Sequence, residues 1–220
     1  MMKTKEDYLT KLNVLFEDNH VIVVEKFINV LSQKDETNDI DMNEIIKEYL
    51  KRKYNKPGNV YLGLIHRLDR RVGGVMVFAK TSKAAQRLSE DIRNHQFDKK
   101  YLVKVIGKVT TDGSINIKLA KNKRMAIVSS DGKPSRLDYK VISYDDYSSL
   151  LLVNLITGRY NQIRVSFAHI GHPLINDYKY NSQLPQTKDD IGLWCYEITF
   201  NHPITKEKMT FRLKPQGAIW

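Results

Sequence analysis

Residues 101–156 read YLVKVIGKVTTDGSINIKLAKNKRMAIVSSDGKPSRLDYKVISYDDYSSLLLVNLI, and this stretch decides the fold class. β-Branched and aromatic residues fill short runs, Tyr101–Val109, Ser114–Leu119, Met125–Ser129, Arg136–Tyr144 and Ser148–Ile156. Turn signals part them, Asp112-Gly113 and Asp131-Gly132-Lys133-Pro134 among them, so successive strands are expected to pair as hairpins. Hairpins give antiparallel sheet. A doubly wound nucleotide fold needs regular strand–helix alternation instead, and neither GxGxxG nor GxxxxGK[ST] occurs in the chain. ATP- and NAD-dependent chemistry is thereby disfavoured.

Upstream, Val21-Ile22-Val23-Val24 predicts a buried strand in a hairpin spanning Val14–Phe27, and residues 30–41 read as a polar loop. A helix is expected from Met42 to Tyr54, with Asp41 as its N-cap and Ile45, Ile46, Tyr49 and Leu50 as its apolar stripe. Leu62–Leu68 and Gly74–Ala79 predict two strands around a charged loop, followed by a helix over Ser82–His95. Downstream come a short helix, Asn161–Ile170, with Ile163, Phe167 and Ile170 on one face, and a closing hairpin of Leu193–Phe200 and Lys208–Leu213. The sum is an α+β fold with a largely antiparallel mixed sheet and flanking helices. Residues 1–13 read as a polar N-terminal arm and 14–220 as one domain.

Across 220 residues, Lys and Arg number 36 against 25 Asp and Glu, a formal charge of +11. Such an excess serves solubility or a polyanionic partner, and nucleic acid is the expected one. The single cysteine, Cys195, excludes an intrachain disulfide framework and a Cys-rich zinc site. No apolar run approaches ~18 residues, and no apolar region follows the charged start, so neither a spanning helix nor a secretory signal is expected. A cytoplasmic protein is the resulting expectation.

Three segments carry candidate chemistry. Ile65-His66-Arg67-Leu68-Asp69-Arg70-Arg71-Val72-Gly73-Gly74 sets one carboxylate among three arginines and a histidine. An acid flanked by guanidinium groups stays ionised and can serve as nucleophile or base; a loop salt bridge is the structural alternative. In Thr157-Gly158-Arg159-Tyr160-Asn161-Gln162-Ile163-Arg164, donors crowd the start of a helix, where anions also meet free backbone N–H groups. Arg164 either pairs with any nearby acid or partners Asp69 across a cleft. In Lys99-Lys100-Tyr101, a tyrosine opens a strand after two lysines, suiting either core packing or stacking on an unstacked base. Metal binding is not expected, because Gly171 and Pro173 break the helix that would present His169 and His172 together. Cys195, between Trp194 and Tyr196, reads as a small buried residue.

Together the three segments resemble the pseudouridine synthases of the RluA type, from about Val14 to Pro215. His66-Arg67-Leu68-Asp69-Arg70, then Gly74 and Phe78-Ala79-Lys80, is similar to that family's HRLD motif, and Lys100-Tyr101 to its second motif. Thr157–Val165, Gly171-His172-Pro173-Leu174 and Asp177-Tyr178-Lys179-Tyr180 resemble its TGRxHQIR…GHPxxGDxxY stretch. The resemblance implies a fold with a central catalytic cleft and isomerisation of a uridine in rRNA or tRNA to pseudouridine, with no cofactor and no metal. Asp69 would be the essential acid, Arg164 its arginine partner and Tyr101 the tyrosine that stacks on the target base. Arg67 would fill the gap left by the flipped nucleotide, and His66, Arg70, Arg159, Gln162 and the apolar Leu193 would line the RNA and substrate site. RNA would be the partner, with no membrane association, and a monomer is expected. Many relatives carry a small RNA-binding domain ahead of the catalytic one, and none is expected here.

The sequence also departs from the pattern. Lys26-Phe27-Ile28-Asn29 replaces the usual Lys-Pro-x-Gly, and Gly73 removes a hydroxyl common after the aspartate. Asn161 and Ser166 stand where histidines are common, and Asn176 where a glycine usually precedes the aspartate. Activity is expected to survive these changes, with substrate choice the property they affect. A non-catalytic RNA-binding or chaperone protein on the same fold is the competing reading, and a metal-dependent nuclease using Asp69 and His66 a third.

Overall fold

A computed structural model describes residues 4–187 and 189–220. In chain order the elements are α1 (Lys5–Lys11), β1 (Val14–Glu17), β2 (Val21–Lys26), α2 (Met42–Lys53), β3 (Gly63–Leu64), β4 (Gly73–Ala79), α3 (Ser82–Arg93), β5 (Asp98–Ile106), β6 (Gly113–Asn122), β7 (Met125–Val128), β8 (Lys133–Tyr144), β9 (Ser148–Leu155), α4 (Gln162–His169), β10 (Leu193–Asn201) and β11 (Lys208–Arg212). They pack as two compact units: Met1–Phe97 with Ile198–Leu213, and Asp98–Glu197 with Lys214–Trp220. The segment read as one domain from residue 14 onward comprises parts of both.

In the first unit β2 lies between β1 and β4, antiparallel to each. Val21–Val24 and Val75–Ala79 are fully buried, which is why both runs read as continuous β-branched and apolar sequence. In the same unit α2 buries Ile45, Ile46 and Leu50, and its N-cap Asp41 carboxylate accepts from the Glu44 N–H at 2.8 Å. Thr81 caps α3 in the same way, accepting from the Ala84 N–H at 3.2 Å. Phe97, Phe200 and Phe211 stack in series, with ring centroids 5.5 and 5.9 Å apart.

The second unit has the strand order β5-β9-β8-β6-β7, every neighbouring pair antiparallel, as the run of hairpins predicts. Tyr101 faces Val153 in the β5–β9 ladder. Leu119 and Ala126 of the β6–β7 hairpin cluster with Val165 of α4, and Phe167 meets the Tyr139 ring edge-on at 5.5 Å.

Three expectations need correction. The polar arm is helical over Lys5–Lys11, because Thr4 and Asp7 form a reciprocal capping box; residues 1–3 of the arm lie outside the described residues. Of the strand expected over Leu62–Leu68, only Gly63–Leu64 pairs, with Ala79 and Phe78. The Leu68 N–H and C=O both bond the Ser32 hydroxyl and so are lost to a ladder. Ile170, expected on the buried face of its helix, is the C-cap and is 39 % exposed. The helix is instead buried continuously from Gln162 to Phe167, a pattern with no single apolar stripe.

An ionic knot joins β1 to α2 and β4. Glu17 accepts from Lys53 and Lys80 at 2.7 Å and from the Tyr54 hydroxyl at 2.8 Å. Burial by itself would raise the Glu17 pKa, but these hydrogen bonds outweigh it and hold it at about 2, below the ordinary 4.5. A lowered acid pKa stabilises the fold above the unfolded value and loses that contribution as the pH falls through the folded one. Thermal melts should therefore show stability draining between pH 4.5 and about 2, and Glu17→Gln should remove that part of the acid dependence.

Candidate active site

The loop after β3 alternates burial. His66 and Leu68 are buried, Arg67 is exposed and Asp69 is half-buried. Two clamps set its path. The Ser32 hydroxyl donates to the Leu68 carbonyl at 2.8 Å and accepts from the Leu68 N–H at 3.1 Å. Beyond Asp69 the chain turns, with the Asp69 carbonyl accepting from the Val72 N–H at 3.0 Å. Lys26 closes this turn from within. Its fully buried Nζ donates to the carbonyls of Phe27 (3.0 Å), Arg70 (3.2 Å) and Val72 (2.7 Å). Burial pulls its pKa down to about 7, the Asp69 charge pulls it up, and Arg70 pulls it down again. Opposite Lys26 in the ladder stands Gly74, whose φ of +123° only glycine adopts readily.

The other predicted residues of this loop divide by role. The Arg67 side chain is exposed, two positions before Asp69. Arg70 pairs with Asp39 of the polar loop at 2.6 Å. His66 is a packing residue: its Nε2 accepts from the Val77 N–H at 3.3 Å and its ring lies 5.6 Å from that of Phe97.

In the second unit, Gln162 locks the turn ahead of α4. Its Oε1 accepts from the Thr157 hydroxyl (2.9 Å) and the Arg159 N–H (3.0 Å), while Nε2 donates to the Arg136 carbonyl (3.0 Å). Arg159 Nε donates to the Pro134 carbonyl at 3.1 Å. Arg164 is buried and forms a bidentate pair with Asp177, at 2.7 and 2.6 Å, with its guanidinium 5.2 Å from the Tyr180 ring centroid. Tyr101 is 5 % exposed and hydrogen-bonds the Cys195 thiol. Burial pushes that thiol up to about 12, so Cys195 stays protonated and unreactive. Leu193 is buried as well. Among the described residues no three His, Cys, Asp or Glu side chains gather as metal ligands, and no helix is long and apolar enough to cross a membrane.

The acid of the first motif thus stands in a clamped turn, followed by a buried strand that starts on glycine. The RNA pseudouridylate synthase family matches residues 20–169. The chain belongs to this family. It is 31 % identical over 204 residues to a protein of Nitrosomonas europaea named ribosomal large subunit pseudouridine synthase D, covering 87 % of this chain and 58 % of the relative. With an RNA pseudouridine synthase of Aquifex aeolicus it shares 32 % identity over 219 residues, 92 % of this chain and 69 % of the relative. The chain thus spans little more than half the length of the first and about two thirds of the second. Human RNA pseudouridylate synthase domain containing 4 has the same fold, with a TM-score of 0.78 at 20 % identity over 94 % of this chain and 89 % of that one. Human RNA pseudouridylate synthase domain containing 1 aligns with a TM-score of 0.76 over 98 % and 86 %.

Two departures from the family pattern now have a physical account. Asn29 and Asn176 sit at φ +64° and +60°, and asparagine is the side chain that best tolerates the left-handed region otherwise left to glycine. The backbone survives both replacements. Asn161 is also left-handed, at φ +50°, and its side chain donates to the Tyr180 hydroxyl at 3.0 Å.

Sequence reasoning missed Lys26, Ser32 and Asp177 as site-building residues. The available signal was a lysine closing a buried β-branched run in Val21–Lys26 and an aspartate directly after Asn176. Lys26→Met should cost roughly 1–3 kcal/mol for each carbonyl left without its donor, read by denaturant melts. A lysine whose folded pKa lies near 7 opposes folding fully below that pH, and the penalty fades as the pH rises toward 10.5. Stability of the native protein should gain from this group over that window, and the Lys26→Met protein should lack the gain. Arg164→Ala, which strands the Asp177 carboxylate, should cost about 3–5 kcal/mol by the same melts.

Proposed function

We propose that the chain isomerises uridine to pseudouridine within an RNA strand, with Asp69 as the essential acid. Support comes from one observation above the others: the half-buried Asp69 stands in a turn fixed on one side by Ser32 and on the other by the Lys26 ammonium. A carboxylate so held keeps its direction while a substrate is brought to it, which is how positioning lowers a barrier. The reaction needs no redox partner. The N1–C1′ bond breaks with Asp69 acting on the uridine, the freed uracil turns, and C5 bonds to C1′; the proton C5 gives up is matched by one taken up at N1.

The reacting carbon is out of reach in a stacked strand, so the nucleotide must be extruded at a cost of a few kcal/mol. The exposed Arg67 guanidinium, two positions from Asp69 in the chain, suits the vacated space. Stacking on Tyr101 would offset the rest, since base–aromatic stacking contributes about 1–3 kcal/mol. The net charge of +11 supplies attraction for phosphates. Relatives named as ribosomal large subunit pseudouridine synthases favour large-subunit rRNA as the polymer.

The test is Asp69→Asn assayed on rRNA from a strain lacking this gene. Pseudouridine should form with the native protein and fall below detection with the variant, while RNA affinity changes less than twofold. Product formation by the variant would remove Asp69 from the reaction. Tight RNA binding with no product from either protein would favour an RNA-binding role instead.

A further inference from the structure

Tyr160 lies inside the third motif, between Arg159 and Asn161, and it is 45 % exposed. Its hydroxyl donates to the Arg124 carbonyl at 3.0 Å, tying the tip of the β6–β7 hairpin to the turn ahead of α4. Two ammonium groups gather at its ring: Lys179 at 5.2 Å and Lys121 at 5.4 Å from the centroid. Lys179 also donates to the Tyr160 oxygen at 3.2 Å. The hairpin tip itself reads Lys121-Asn122-Lys123-Arg124, three cations in four exposed residues. Among the described residues Lys121 has no carboxylate partner.

Two other aromatic patches differ in the sign of their surroundings. The Tyr54 ring also meets three lysines, Lys53, Lys56 and Lys80, but Glu17 binds Lys53 and Lys80 directly, so that cluster holds elements together. Tyr147 is 85 % exposed but follows Asp145 and Asp146, which repel phosphate. Among the described residues, the Tyr160 ring is the exposed one on which cations gather with a cationic hairpin tip in contact with it.

We propose that Lys121 and Lys179, held on the Tyr160 ring, form a docking surface for the sugar–phosphate backbone of substrate RNA. The inference rests on the pseudouridine synthase reading and adds to it a specific surface outside the Asp69 loop. Ammonium groups kept in place by the ring lose less side-chain freedom on binding than free lysines do, which favours a defined register on the strand.

The experiment measures binding of a fluorescein-labelled single-stranded oligouridylate across a salt series. Each backbone contact on a single strand contributes about 0.7 to the log–log salt slope. The double variant Lys121→Ala/Lys179→Ala should therefore bind more weakly, with a slope shallower by about 1.4. A control lacking Lys34 and Lys140, exposed lysines elsewhere, should keep the native slope within about 0.3. Tyr160→Phe keeps the ring and both lysines but drops the hydroxyl's bonds to the Arg124 carbonyl and from Lys179, and because the ring still holds both ammonium groups it too should keep the slope. An unchanged slope in the double variant overturns the proposal. So does an equal loss in the lysine control, or in Tyr160→Phe, where the hairpin anchor would be the cause. Should the native protein bind RNA through these lysines yet form no pseudouridine, the docking surface stands and the isomerase reading falls.

Discussion

The buried ammonium of Lys26 is the constraint from which the candidate site is built. A protonated lysine has three donors, and three carbonyls receive them, those of Phe27, Arg70 and Val72. Two of these oxygens belong to the turn that follows Asp69, so satisfying the ammonium fixes the turn. The dependence runs both ways: full burial disfavours the charge, and the Asp69 carboxylate is what favours it. A clamp of this kind sets the path of the backbone beyond the acid, because the lysine spends its hydrogen bonds on backbone oxygens.

The same economy of donors governs the turn ahead of α4. The sequence offers Arg159, Asn161, Gln162 and Arg164 as a cluster of possible RNA contacts. Burial sorts them. Gln162 holds its own turn, Asn161 bonds Tyr180 and Arg164 bonds Asp177, as buried polar groups must. Tyr160, between them in sequence, is the one whose ring reaches solvent. Motif residues thus divide into those that hold the loop in shape and those that reach solvent, and the division follows accessibility more closely than residue type.

Departures from the family pattern obey the same physics. Asparagine replaces glycine where the backbone is left-handed, at 29 and 176, and the chain keeps its course. At 29 this preserves the segment that follows Lys26; at 176 it preserves the approach to Asp177, on which the buried Arg164 depends.

By itself the sequence determined the fold class, most strand and helix positions, the cap at Asp41 and the motif-bearing loops, because periodicity, turn residues and N-caps act over a few residues. It also determined that Asp69 lies among arginines. Tertiary structure alone decided which of those charges are answered and by whom: Arg70 by Asp39, Arg164 by Asp177, Lys26 by three carbonyls of which two lie more than forty residues away. It also decided that most of Leu62–Leu68 would not pair as a strand, since Ser32 takes the Leu68 backbone groups from a distance in sequence that no local pattern spans. Periodicity reports on which face of an element is apolar; the partner of a buried polar group is set by where the folded chain returns to it, and that is a property of the whole packing.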